Sequence, residues 1–418
     1  MIYSKIVVKK FGGTSVGTID RIHNVAKLVA EYKKMHPDTA VVVVVSAMTG
    51  ETSKLIALAK QCVAEPSPRE LDVMVATGEQ VSIALMSMAL HAQGLKAESM
   101  SGIQAHIVTN TSFTNAKIEE IDGTSIKAVV EQGIIPVIAG FQGTDPEGNI
   151  TTLGRGGSDI TAVAVAAALK ANECFIYTDV EGVYTTDPRM CPEAKRMNRI
   201  SHEEMLEMAS LGAKVLHPRS VYFAMRYNVP MVVLSTFNPM QDGKILGTWI
   251  VPEEQLMEKP IVTGVTYRFD ETKVSISDLK GGIQKIYEIF QKLSDDEVFV
   301  DMISQTVGGD GAQHLSFTVP TEQGKKAEEI VRKLEPTAKI SLDSEIAKVS
   351  VVGMGMKYHV GVAAKAFEAL ALERIEVMVV ATSEIKISVV VPRKYGELAV
   401  RALHKAFIEN APVVEEER

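Results

Sequence analysis

Cysteine is scarce in this chain, and the few that occur are scattered. Cys62, Cys174 and Cys191 are the only three. None sits in a CxxC pair or a cluster with histidine, which argues against a disulfide frame and a zinc site, so no protein-held metal is expected. Long apolar runs are missing too. Residues 41–45 read as a buried strand and residues 162–169 are broken by small side chains, well short of the roughly 18 residues of a membrane span. The opening residues 1–10 place lysines after an apolar start, with glycines beyond, the reverse of a secretory signal. Positive charge is not in excess: 44 basic against 52 acidic residues leave a net charge of −8, which disfavours nucleic acid as a partner. Neither GxxxxGK[ST] nor an HRD…DFG set occurs, so the chain is neither a P-loop protein nor a protein kinase. These absences leave a reducing compartment, with a cytoplasmic enzyme as the expected class and no membrane contact.

What is present is the composition of a globular protein, 46% hydrophobic and 23% charged, in 418 residues, enough for two or three domains. The first part alternates short β-branched runs (6–9, 40–45, 134–139, 174–177 and 231–234) with helical patterns at 19–33 and 158–170. That alternation predicts an α/β domain with a mainly parallel sheet between helices over residues 1–250. Ser158 and Asp159 are expected to cap the second of those helices. Prolines and glutamates interrupt the pattern at 251–260, which places a linker at 251–262. Beyond it Phe290, Leu293, Val298 and Val300 recur as Phe367, Leu370, Ile375 and Val377 at one offset of 77. The repeat predicts two tandem βαββαβ α+β units, at 263–340 and 341–418. Such pairs serve as small-molecule sensors or as dimerisation modules.

Four segments carry candidate chemistry. In Lys10-Phe11-Gly12-Gly13-Thr-Ser, at the end of the first strand, adjacent glycines let backbone amides approach a phosphate and the lysine can neutralise it; a plain strand-to-glycine turn fits equally. In the run 151–159, Arg155 stands between glycines ahead of a helix start, an arrangement suited to a carboxylate. Asp159 there is either a first-turn dipole partner or the group that holds Lys10. Glu79, in Thr77-Gly-Glu, opens a helix at 80–92 and is either a capping partner or a receptor for an ammonium group. The run 177–189, with Tyr184 and Arg189, follows a buried strand at the end where α/β sheets bind ligands, and suits a nucleotide cleft or a polar loop.

Taken in order, KFGGTS, VSAMTG, TGE, GFQG, TTLGRGGSD, YTDVEGVYTTDPR, GAKVLHPRS and the tandem repeat resemble the aspartate kinases of the amino-acid kinase superfamily, over essentially the whole chain. The resemblance implies an amino-acid-kinase fold followed by two ACT regulatory units. It implies phosphorylation of the aspartate side-chain carboxylate by ATP with Mg²⁺, the first step towards lysine, threonine, methionine and diaminopimelate. Lys10 would meet the transferred group beside Phe11, Gly12, Gly13 and Ser46, and Asp159 would orient it. Thr52, Glu79, Arg155, Gly156, Gly157 and Ser158 would hold aspartate, with Glu79 on its ammonium and Arg155 on its α-carboxylate. Thr178, Asp179, Tyr184, Arg189 and Lys214 would serve the nucleotide. A relative that phosphorylates acetylglutamate, glutamate or uridylate, and an amino-acid-binding regulator without activity, are the competing readings.

For regulation the resemblance implies feedback by lysine, threonine or both, with Asp278, Asp301, Gln305 and Thr382 as effector contacts. It also implies a homo-oligomer built through the ACT units, with an internal start such as Met257 yielding a small subunit. Fused homoserine dehydrogenase is not expected, since only residues 415–418 end the chain. The family's effector asparagines are replaced by Phe299 and Glu376, which predicts weak or absent inhibition by lysine.

Overall fold

The computed structural model describes residues 3–241, 244–256, 260–307 and 313–410; Met257 and residues 415–418 lie outside them. The chain forms two compact units. One comprises Met1–Val183, Arg196–Ala209 and Lys214–Met257, and the other Tyr184–Lys195, Ser210–Ala213 and Glu258–Arg418.

The first unit is built on an eight-stranded sheet. Its spatial order is Arg199–Ser201, Gly247–Val251, Met231–Ser235, Glu173–Thr178, Lys5–Phe11, Thr39–Val45, Ile135–Ala139 and Ala97–Met100. Every neighbouring pair is parallel except Met231–Ser235 with Gly247–Val251. Thr39–Val45 is buried at all seven positions, as a run of valines on a sheet covered on both faces must be. Helix Ile19–Met35 turns Ile22, Val25, Ala26 and Val29 inward, whereas Gly157–Leu169 is apolar almost all round and almost wholly buried. The cap of that second helix differs from expectation. Gly156 occupies the N-cap in a left-handed conformation, φ +73°, and no side chain caps the helix; Ser158 and Asp159 sit inside the first turn. One stretch, Pro68–Ala92, is long and apolar enough to span a membrane by length and composition, with mean hydropathy 1.5. Valine, isoleucine, leucine, methionine and alanine interspersed with polar residues give it that score without a long strictly apolar run, and 56% of the window is buried, as in a core helix.

Pairing places the functional loops. Phe11 is in register with Val45 on one side and Tyr177 on the other. The chain therefore leaves three adjacent strands at Gly12, Ser46 and Thr178 along one sheet edge, the carboxyl edge where such sheets bind ligands.

The second unit holds two four-stranded antiparallel sheets. Glu271–Leu279, Asp301–Val307, Gln313–Pro320 and Lys339–Asp343, with helices Gly282–Asp295 and Gly324–Leu334, form one contiguous βαββαβ. The other comprises Ile346–Val352, Val379–Thr382 and Lys386–Pro392, with helices Val362–Leu372 and Gly396–His404, and takes its fourth strand from upstream. Gly264–Arg268 pairs antiparallel with Ile346–Val352. A simple tandem division at 340/341 is thereby corrected: residues 264–268 go to the second sheet, and Lys339–Asp343 runs past the expected end of the first. After its last helix the second copy offers no further strand among the described residues, so the segment before the first copy fills the open edge. Phe290, Leu293 and Val298 pack in the first core, and Leu370 and Ile375 in the second; Phe367 is 43% exposed and breaks the repeat.

Candidate active site

Alternation along Lys5–Phe11 sends two adjacent lysines to opposite faces of the sheet. Lys10 Nζ lies 2.6 Å from Asp159 Oδ1 in the first turn of helix Gly157–Leu169. Lys9 is 2% exposed. Its ammonium sits 3.7 Å from the centroid of Tyr32 and 4.3 Å from that of Phe175, and donates to Tyr177 Oη at 2.9 Å. Burial lowers its pKa to about 7, against the opposing charge of Glu173. Only Lys10 lines the cleft.

That cleft, about 300 Å³, is bounded by Lys10, Gly13, Ser46, Thr52, Glu79, Arg155, Gly156, Gly157, Ser158 and Asp159, all expected from sequence. The loop ends are stitched by backbone. Gly12 N–H donates to Tyr177 O and Ser46 N–H to Phe11 O, which holds Gly12 and Gly13 against the neighbouring strand ends. Gly156 has to be glycine: besides its positive φ, a Cβ there would lie 2.3 Å from His217 Cβ.

Glu79 is the third residue of helix Thr77–Ala92 and 3% exposed. Its Oε1 accepts the Ala47 N–H at 2.9 Å, and its Oε2 is buried without a hydrogen-bond partner among the described residues. Burial raises its pKa to about 7, although the backbone bond from Ala47 favours the charged form. Across the same cleft Arg155 is exposed and makes no ion pair with the described residues. One cleft is thus lined by a buried acceptor lacking a donor and by a cation lacking an anion, charges that complement the two ends of a zwitterion.

Sequence reasoning passed over Ala47, whose amide orients Glu79, and Phe141. Phe141 holds φ +70°, its N–H donates to Thr161 Oγ1 and its carbonyl accepts from Leu153, and its ring meets Gly157. A bulky residue in the left-handed region is strained; its signal was the GFQG run.

The nucleotide residues are less gathered. Thr178 and Asp179 end strand Glu173–Thr178, next to the Gly12 turn, and bond to each other at 3.1 Å. Lys214 is exposed on the turn before helix Pro218–Arg226 and does not line the cleft. Tyr184 and Arg189 fall in the second unit. Arg189 is clamped onto Asp187 at 2.7 Å and holds that carboxyl down at about 2, and Asp187 also accepts from Tyr267. Of the expected effector residues, Asp301 is 2.5 Å from Lys348 and Asp278 3.0 Å from Lys339; Gln305 and Thr382 are exposed on edge strands.

Residues 5–235 match the amino acid kinase family and residues 349–407 an ACT domain. The chain is a phosphotransferase of the amino acid kinase family by that match. Among its relatives, an aspartokinase of Pseudomonas aeruginosa is 52% identical over 97% of this chain and 98% of its own length. An aspartokinase of Helicobacter pylori strain J99 is 47% identical over 96% of this chain and 99% of its own length. The crystal structure of E. coli aspartokinase III with aspartate and ADP superposes with a TM-score of 0.79 at 26% identity, over 96% of this chain and 99% of that one. The chain belongs to the aspartokinases.

Proposed function

We propose that the cleft phosphorylates the side-chain carboxylate of L-aspartate with ATP, giving 4-phospho-L-aspartate and opening the route to lysine, threonine and methionine. The observation that carries this reading is that Glu79, whose buried Oε2 has no hydrogen-bond partner among the described residues, lines one cleft with Arg155, which makes no ion pair with them. Glu79 takes the ammonium group of aspartate and Arg155 its α-carboxylate, with Thr52, Ser158 and the Gly156 and Gly157 backbone alongside. The α-substituents are thus fixed at two points and the side chain is directed at Lys10. That carboxylate is ionised at neutral pH, so no general base is needed. The obstacle is repulsion between two anions. Lys10, held by Asp159, and the amides of Gly12 and Gly13 offset the charge on the moving group. Phe11, Ser46, Thr178, Asp179, Tyr184, Arg189 and Lys214 are the residues we assign to the nucleotide. The donor set fits Mg²⁺ carried on the phosphates rather than in a protein cage, because the lining carboxylates are Glu79 and the lysine-paired Asp159. When bound, the ion supplies further charge neutralisation.

Feedback is assigned to the paired ACT sheets, together with assembly into a homo-oligomer, in a cytoplasmic enzyme. Asp301 already faces Lys348, and Phe299 is 73% exposed with no side-chain donor to offer; Glu376 is exposed and anionic. These three support weak inhibition by lysine alone. The activity is tested by a coupled assay of ADP release with aspartate, glutamate, acetylglutamate and uridylate. Turnover with aspartate alone is expected; turnover with another acceptor and none with aspartate would refute the assignment.

A further inference from the structure

Sequence spacing pointed to no metal ligands, but the fold of the second unit brings together three groups that are distant in the chain. Cys191, His404 and Glu409 present a sulfur, a ring nitrogen and a carboxylate oxygen within 4.8 Å of one another. Cys191 is 1% exposed and His404 0%, while Glu409 lies at the rim. His404 Nδ1 is 3.5 Å from Cys191 Sγ and 2.9 Å from Glu409 Oε1. On its other side Nε2 is 2.9 Å from Thr185 Oγ1, an oxygen that also accepts the Lys195 N–H.

The geometry points to a zinc-class divalent cation held by Cys191, His404 and Glu409. Thr185 Oγ1 can either accept from Nε2–H or donate to a bare Nε2; in the Nε2–H tautomer the Nδ1 lone pair faces the Glu409 oxygen, and two acceptors stand 2.9 Å apart. In that tautomer a cation between them turns the contact into two metal bonds; in the other, Nδ1–H donates to Glu409. Tetrahedral zinc, with sulfur at about 2.3 Å and nitrogen at about 2.0 Å, sets those two ligands about 3.5 Å apart, as Sγ and Nδ1 are here. Glu409 has to withdraw by a few tenths of an ångström, which a rim side chain can do. On binding, the thiol gives its proton to solvent as the sulfur–metal bond forms. Thiolate and carboxylate then balance the dication, and the enclosed site is neutral overall. A water in the fourth position keeps that balance, and Glu193, whose Oε2 is 3.4 Å from Cys191 Sγ, accepts the thiol hydrogen bond before the proton leaves. Thr185 plays the outer role usual for a ligating histidine's second nitrogen. The ion would tie residues 184–195 to the last helix of that unit.

The test uses the full chain, stripped with chelator and titrated with Co²⁺, whose bond to a thiolate gives a charge-transfer absorption. One equivalent is expected to produce that band, and Zn²⁺ to abolish it. Cys191→Ser, nearly isosteric, is expected to lose the band. Thr185→Val, which keeps all three ligands, is expected to weaken binding about 10- to 100-fold, with far-ultraviolet dichroism checking the fold. No saturable band in the wild type would overturn the site and leave a His404–Glu409 hydrogen bond. The same band in Cys191→Ser would also overturn it, by placing the ion elsewhere.

Discussion

The cleft of the first unit and the sheets of the second both bury ionic groups, but they close them differently. In the sheets Lys348, 1% exposed, contacts Glu271 at 2.7 Å and Asp301 at 2.5 Å. Burial pushes the Asp301 carboxyl up, yet the Lys348 charge and hydrogen bond, with the Met302 amide, outweigh it and hold it below its usual range. In the cleft Lys10 is matched by Asp159, whereas Glu79 Oε2 and the Arg155 guanidinium have no partner among the described residues. An ion matched inside the chain holds elements together; an ion left unmatched at a cavity wall is a place for a ligand.

Lys348→Met should break the matched set at the largest energetic cost. Loss of the ammonium leaves buried Glu271 with the more distant Arg268, 3.5 Å away, and is expected to destabilise the second unit by up to about 3 to 5 kcal/mol, read as a fall in the denaturant midpoint. A variant as stable as the wild type would mean the set is not cohesive. Lys10→Ala should leave the fold intact and cut kcat about 10²- to 10³-fold, since losing one preorganised donor costs roughly 3 to 4 kcal/mol. Near-normal kcat in a folded variant would remove Lys10 from its role.

Glu79 sharpens the contrast through pH. Its folded pKa, about 7, exceeds its unfolded value near 4.5, so between those values the native state binds more protons and stability falls as pH rises. Glu79→Gln should therefore stabilise the free protein above pH 7, by at most about 3 kcal/mol, while raising KM for aspartate. Thermal melts at pH 5 and pH 8 check this, with the variant gaining only at the higher pH. Lys9 has the opposite sign. Its folded pKa of about 7 lies below 10.5, so its own contribution gains stability between those values as pH rises. The smallest effect concerns lysine as an effector: half-inhibition is expected only above about a millimolar, an affinity near −4 kcal/mol. Potent inhibition by lysine alone would show that Asp278, Gln305 and backbone suffice.

The parallel sheet was legible because valine runs and amphipathic helices alternate, and the cleft because its glycines cluster around Lys10 and Arg155. The missed features depend on contacts no local pattern carries. Gly264–Arg268 crosses to the second regulatory sheet because that sheet had an open edge. The Gly156 cap is imposed by His217, far along the chain. The contact of Asp301 with Lys348 joins residues far apart in the chain. The Arg189–Asp187 pair joins near neighbours through a turn rather than a strand or helix.

The central claim is that Glu79 and Arg155 read the aspartate zwitterion while other residues hold ATP. Arg155→Ala tests it most directly, by measuring kcat/KM for aspartate and the dissociation constant for ATP on the same preparation. Loss of hydrogen bonds to a charged group, about 1.5 to 3 kcal/mol, predicts a fall of roughly 10- to 150-fold in kcat/KM with ATP affinity unchanged. A collapse of ATP binding with aspartate kinetics preserved would contradict the account.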